Sequence, residues 1–279
     1  MNPAMSPDTR KQGEGFSHFD GDVALYDSSK PVYPNDLVTR IVTAMPGRDI
    51  LNVGCGTGIE ARQFQAAGCA VLGVDPDERM AEFARGTGVP VETSRFETWM
   101  SVGRTFDAVV AGTAWHWVDP GVGVAKAAQV LRPGGLLAPF HHAQHTPPRL
   151  EAVGDGLPAW SSRSAEAYRR VAPDSVFDPG GRRRSSMELY QMLFDEFANQ
   201  IRQADGFSEP EQWQFGWERT YTRDEWLDLL PTYGAVAKLP PAELARVLER
   251  VGAAIDEMGG SFSLPFTTIA VIAVRKDTD

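Results

Sequence analysis

Three glycines alternate with single residues directly behind an apolar run. Residues 50 to 60 read ILNVGCGTGIE, which places Gly54, Gly56 and Gly58 around Cys55 and Thr57. Glycine at this spacing lets a ligand approach the backbone closely and supplies the positive φ that a turn after a strand often needs. Nineteen residues past Gly56, the stretch VLGVDPD carries Asp75, followed by Pro76. A carboxylate there can accept hydrogen bonds from both hydroxyls of a ribose, and its charge suits a ribose without a 2′-phosphate. A dinucleotide fingerprint would read GxGxxG or GxGxxA, whereas the spacing here is GxGxG and Ile59 comes next. The pattern therefore points to a nucleoside and weakens the case for a nicotinamide dinucleotide.

Further residues could act on whatever that nucleoside carries. Trp115, His116 and Trp117 follow one apolar run, and His141 and His142 follow another. His116 and His141 are candidate bases, with an ordinary imidazole titrating near pH 6.5; the alternative is a structural histidine. An aromatic face would attract a cationic centre by about 0.5–2 kcal/mol, and Trp115, directly behind its strand, is the stronger candidate for that role. Trp117 has the competing reading of an aromatic packed into the core. Arg149 and the run Arg182 to Arg184 could recognise an acidic compound, although a solvated loop is the simpler reading. Trp117, His142, Trp160, Tyr190, Phe194 and Trp217 could line an apolar substrate pocket, while the helical spacing of Tyr190 and Phe194 also suits core positions.

The elements that must position these residues alternate. Short apolar runs at 49–53, 70–75, 89–93, 106–111 and 135–140 suit buried parallel strands, and helical stretches at 60–67, 78–84 and 121–131 lie between most of them. Strand after helix after strand predicts an α/β, Rossmann-like doubly wound sheet. Before it, a segment broken by Pro31 and Pro34 is helical at both ends. After the fifth strand the rhythm stops, and a helix is expected at 186–204. A strand at 214–221, helices at 223–230 and 241–258, and a strand at 262–275 complete the pattern. The expected organisation is a disordered start (1–15), a nucleoside-binding core with N-terminal lid helices (16–142), a substrate-covering insertion (143–212), and completion of the sheet (213–279).

Composition narrows the partners. Of 279 residues, 37 are acidic and 27 basic, giving a net charge of −10, which argues against a nucleic-acid binder. Cys55 and Cys69 have no metal-ligand spacing, so no metal site is expected and a reducing, cytoplasmic setting is. The first residues lack the apolar core of a signal peptide, and no run approaches the ~20 apolar residues of a membrane span, so no membrane association is expected.

With these motifs together, the sequence resembles the class I S-adenosylmethionine-dependent methyltransferases. ILNVGCGTG, VLGVDPDERM, FDAVVAGTAWHWVDP and VLRPGGLLAPF carry the likeness. FDGDVALYDSSKPVYP together with WHWVDP is similar to the small-molecule branch that includes trans-aconitate methyltransferase-like proteins. The resemblance implies a seven-stranded sheet of order 3-2-1-4-5-7-6 with strand 7 antiparallel, and S-adenosylmethionine as cofactor with S-adenosylhomocysteine as product. It implies that Gly54 to Gly58 meet the methionine portion and that Asp75, with Pro76 beside it, holds the ribose. Met80 and Phe96 would flank the adenine, and Glu97 or its neighbours would meet the adenine edge. Thr113, Ala114 and Trp115 would complete the cofactor site. Tyr26, Lys30 and Tyr33 would close over the methionine end.

Two positions depart from the family. Asn52 stands where the family usually has an acid, and Lys30 where it often has arginine. Asn52 can accept a hydrogen bond but offers no charge to an ammonium, unless another acid substitutes. The expected function is methyl transfer to a small molecule, most simply at oxygen, by a monomer or homodimer. The alternatives are a cofactor-binding relative without methyl transfer, serving as a cyclase or regulator, a nicotinamide-dependent oxidoreductase, and a tRNA or protein methyltransferase.

Overall fold

A computed structural model describes residues 21–144, 186–237 and 239–277. Trp160, Arg149 and Arg182 to Arg184 lie outside the described residues, as do the expected disordered start and most of the expected insertion.

Seven strands form one sheet: β1 (Asp49–Val53), β2 (Ala70–Asp75), β3 (Val91–Thr93), β4 (Phe106–Gly112), β5 (Leu131–Gln144), β6 (Glu211–Thr222) and β7 (Ser261–Val274). Their order is β3-β2-β1-β4-β5-β7-β6. The first five strands pair in parallel, and β7 runs antiparallel to both β5 and β6. This is the expected order and the expected reversal. β1 and β4 are buried along nearly their whole length, as central parallel strands covered on both faces must be.

Helices α1 (Val23–Ser29) and α2 (Asn35–Ala44) precede β1. Asp22 caps α1 by accepting from the N–H groups of Ala24 and Leu25, and Pro31 and Pro34 separate the two helices. On one face of the sheet, α2, α3 (Ile59–Ala66) and α4 (Glu78–Gly86) bury Leu37, Ile41, Phe64 and Ala84 against Ile50, Val71 and Val110. On the other, α5 (Pro120–Val130) and α6 (Ser186–Gln203) bury Val124, Phe194, Phe197 and Ile201 against Leu51, Val109, Leu137 and Ile269. Each such side chain contributes about 1.5–3 kcal/mol through burial. A third cluster joins α7 (Arg223–Leu229) and α9 (Pro241–Glu257) to the ends of β6 and β7 through Tyr221, Trp226, Val251, Ile255 and Phe262. The short α8 (Gly234–Ala237) lies between α7 and α9.

No helix among the described residues is long and apolar enough to cross a membrane.

Candidate functional site

The glycine turn forms at the carboxyl end of β1, where open α/β sheets bind ligands. Gly54, Gly56 and Gly58 have φ of 64°, 53° and 87°. At Gly54 a side chain is excluded by space as well, since a Cβ would lie 2.5 Å from the Ala114 Cβ. At Gly56 nothing lies near, so the left-handed backbone alone calls for glycine. Its N–H donates to Asp75 Oδ2 at 2.8 Å, and the N–H of Asp77 donates to Asp75 Oδ1 at 2.9 Å.

Asp75 is thus fixed at the end of β2, adjacent to the turn. Each carboxylate oxygen gives one lone pair to the backbone and keeps another for a ligand hydroxyl. Burial raises its pKa to about 6 against the pull of those two N–H donors. Beside it a cavity is lined by Val53, Gly54, Val74, Pro76, Arg95, Phe96, Glu97, Ala114, Trp117 and Val118. The slot is lined mainly by apolar residues, with Arg95 and Glu97 among them, a chemistry that suits a planar heterocycle. Glu97 also takes part in the local structure by accepting from the N–H of Asp119 at 2.9 Å. Met80 is buried in the first turn of α4, whose cap is Asp77.

The two tryptophans part ways, and the reading of Trp115 as an exposed aromatic face is corrected. Trp115 is 2% exposed and belongs to the core, 6.2 Å from Phe96. Trp117 is 38% exposed and lines the slot. Both lie in one 3-10 turn, Trp115–Trp117, whose first residue points inward as the chain leaves β4.

Ahead of that turn stands Thr113, with φ of 56°. A β-branched residue in the left-handed region is strained. It is held there by its N–H donating to the Phe140 carbonyl at 2.7 Å and by a 2.8 Å hydrogen bond between its hydroxyl and that of Tyr33. Strain retained in this way marks sites where backbone position matters.

The segment from Tyr26 to Tyr33 joins the end of α1 to α2 and brings Tyr33 against Thr113. An ion pair from Arg62 to Asp27, 2.7 Å, ties α1 to α3. The Lys30 ammonium lies 4.0 Å from the ring centroid of Tyr233 and 5.0 Å from that of Tyr26, and burial lowers its pKa to about 7. Burial, with the nearby charges of Glu60 and Asp75 adding to it, pushes the Tyr26 phenol well up.

The histidines divide between the faces of the sheet, because successive strand residues point oppositely. His141 turns toward α6, 5.9 Å from the His116 ring and 5.1 Å from Tyr190. Its Nδ1 donates to the His142 carbonyl at 2.8 Å, which leaves Nε2 as an acceptor. His116 Nδ1 is buried with no hydrogen-bond partner. Burial lowers the pKa of His116 to about 3 and of His141 to about 4, so both are neutral at any physiological pH.

His142 points the other way. It stacks on Tyr33 at 4.2 Å, meets Trp217 edge-on at 5.2 Å, and bonds through Nδ1 to Thr268 Oγ1 at 2.9 Å. Trp217 itself donates to Thr268 and stacks on Phe266 at 4.3 Å. The expectation that His142, Trp217, Tyr190 and Phe194 line one pocket is therefore corrected. His142 and Trp217 occupy one face, Tyr190 the other, and Phe194 is fully buried in the core against Phe197.

Sequence reasoning misses Glu60, Arg95, Gln144 and Tyr233. Glu60, on the first turn of α3, is 5% exposed and accepts from Asn52 Nδ2 at 3.0 Å. Gln144 donates to the Tyr233 hydroxyl at 2.6 Å and so steadies the ring under Lys30. Cys55 packs its thiol against Gly73, where a Cβ would come within 2.6 Å, and is structural. Thr57 is buried with its hydroxyl unpartnered. Among the described residues no group of three metal-ligating side chains occurs.

Comparisons with known proteins agree with this geometry. A family model described as a methyltransferase domain matches residues 51–138. An uncharacterized methyltransferase of Mycobacterium tuberculosis is 33% identical over 122 residues, 43% of this chain and 49% of its own length. The ubiquinone biosynthesis O-methyltransferase of Methylocella silvestris is 31% identical over 147 residues, 45% of this chain and 57% of its own. The chain thus spans about half the length of the curated relatives it matches. A solved structure from Anaeromyxobacter dehalogenans, described as a methyltransferase, has the same fold with a TM-score of 0.60, at 24% identity, covering 88% of this chain and 97% of that one.

Proposed function

We propose that this chain, which matches a methyltransferase domain over residues 51–138, transfers a methyl group from S-adenosylmethionine to an oxygen of a small-molecule acceptor. The observation that carries the reading is Asp75, pinned by the N–H groups of Gly56 and Asp77 with a lone pair left on each oxygen, beside a slot lined by Pro76, Phe96 and Trp117. In this reading Asp75 holds the ribose hydroxyls, and Phe96, Pro76 and Trp117 enclose the adenine. Lys30 pairs with the carboxylate of the cofactor's amino-acid end. Tyr26 and Tyr33 close over it.

The cofactor, when bound, supplies an electrophilic methyl carbon on a sulfonium. Displacement at that carbon is in line, so the protein's work is alignment and exclusion of water. His116 and His141 stand on the α6 side with unprotonated ring nitrogens. Each can accept a hydrogen bond from an acceptor hydroxyl and aim its lone pair at the methyl carbon. Their low basicity does not prevent proton capture, because an oxygen bearing a new methyl group and its old proton is a far stronger acid than any imidazolium. Oxygen as the acceptor atom is supported by these neutral acceptors and by the ubiquinone O-methyltransferase likeness.

The test incubates the protein with S-adenosylmethionine and a panel of phenols, hydroxylated aromatic compounds and small carboxylic acids, and measures S-adenosylhomocysteine release and product mass. Release with a phenol or hydroxylated compound supports the reading. Methyl transfer to none of these oxygen acceptors despite cofactor binding refutes it.

A further inference from the structure

The carboxylate that is absent at residue 52 stands nearby. Asn52 lies near the end of β1, and its side chain turns to the face covered by α2 and α3. There its Nδ2 donates to Glu60 Oε1 at 3.0 Å, while its Oδ1 is fully buried and has no partner. A buried acceptor without a donor is costly, which is why such atoms in a folded protein call for an explanation.

Glu60 is as unusual. An acidic residue in the first turn of a helix ordinarily faces water, where it meets the helix dipole at little cost. This one is 5% exposed, with its carboxylate among Asn52, Gly112 and the Tyr33 hydroxyl: a Cβ on Gly112 would come within 2.9 Å of Glu60 Oε1 and 2.7 Å of the Tyr33 oxygen. No cationic side chain pairs with it among the described ion pairs. The pair sits beside the carboxyl end of β4, next to the Tyr33 hydroxyl and within electrostatic reach of Tyr26. A buried carboxylate that no described ion pair neutralises thus stands next to an amide oxygen that lacks a donor.

We propose that Glu60, together with the Asn52 amide oxygen, receives the α-ammonium group of the cofactor's amino-acid end, so that the charge usually borne at residue 52 is borne here by Glu60. This rests on the cofactor reading above. The amide donates to the carboxylate and orients it, and its own oxygen is left to accept from the ammonium. Burial raises the Glu60 pKa to about 7, against the hydrogen bonds from Asn52 and the Gly112 backbone. A cation docking there would restore the charged form. The arrangement also predicts that an acid at residue 52 is no improvement, since it would set two carboxylates about 3 Å apart, one of which would have to take a proton.

The test is calorimetric titration of Glu60→Gln, Asn52→Asp and the double variant Asn52→Asp with Glu60→Gln. Each is titrated with S-adenosylhomocysteine and with 5′-(3-carboxypropylthio)-5′-deoxyadenosine, which lacks only the amino group. Thermal melts of all variants check folding. Glu60→Gln is expected to weaken S-adenosylhomocysteine tenfold or more and the deamino analogue less than twofold. Asn52→Asp alone should not tighten binding. The double variant, which moves the charge back to residue 52, should recover most of the loss. Equal weakening of both ligands by Glu60→Gln, or unchanged affinity in a folded variant, would overturn the inference. Tenfold tightening by Asn52→Asp alone would do so as well. Failure of the unsubstituted chain to bind either ligand would instead overturn the cofactor reading, and the inference with it.

Discussion

Asp75→Ala removes the group on which the ribose assignment depends. Its two oxygens accept at 2.8 and 2.9 Å from Gly56 and Asp77, and the remaining lone pairs would take the two ribose hydroxyls. A hydrogen bond to a charged group contributes about 1.5–3 kcal/mol. Asp75 is only 2% exposed, so the loss is little compensated by bulk water. Two such bonds give about 3 kcal/mol as a lower sum, and non-additivity allows half of that. Cofactor affinity should therefore fall by between about tenfold and 150-fold. The same change frees two backbone N–H groups in the turn, so a modest drop in melting temperature is expected too. Titration with S-adenosylhomocysteine and with its 2′-deoxy analogue separates the effects. The parent should discriminate between the two ligands about tenfold, and the variant should not. If the variant retains the parent's discrimination, Asp75 does not hold the ribose.

Trp115→Ala should cost about 3–5 kcal/mol of stability in denaturant titration, since the side chain is core. Trp117→Ala should instead leave stability within about 1 kcal/mol and weaken the cofactor; the reverse pattern would restore the roles read from the sequence. Because burial holds His116 and His141 at pKa values of about 3 and 4, kcat at saturating cofactor should stay level from pH 8 to 5.5. A fall centred near pH 6.5 that disappears in His116→Gln or His141→Gln would contradict this. The Glu60 pKa is raised from 4.5 to about 7, so its contribution to stability is full below pH 4.5 and is lost as pH rises through 7. Glu60→Gln without ligand should therefore melt higher than the parent at pH 8 and lose that advantage at pH 5. A difference that does not change with pH would contradict the buried placement.

The sheet was legible because its central strands are short apolar runs with punctuating glycines, and parallel strands buried on both faces leave that signature. The fifth strand shows the limit. Its apolar centre at 135–140 is plain, yet the strand extends from Leu131 to Gln144, because β4 pairs with Leu131 across an irregularity at RPGG and β7 supplies ladder partners for HHAQ that the sequence does not advertise. The turn at Gly54 to Gly58 and Asp75 were readable from spacing alone. Trp115 and Trp117 were not, since a 3-10 turn follows neither strand nor helix periodicity and so hides which ring points inward. His141 and His142 are neighbours in sequence, and only the pleat of β5 separates them. Glu60 was missed for a related reason: an acid in a first helical turn is ordinarily a surface residue, and its partner Asn52 is brought to it by the packing of α3 on β1.

The measurement that tests the account most directly is calorimetric titration of the unsubstituted chain with S-adenosylhomocysteine, run beside NADH. One site per chain for S-adenosylhomocysteine, at micromolar affinity or tighter, and no binding of NADH is the predicted result. Binding of NADH at the glycine turn, or no heat and no thermal shift with S-adenosylhomocysteine, would contradict it.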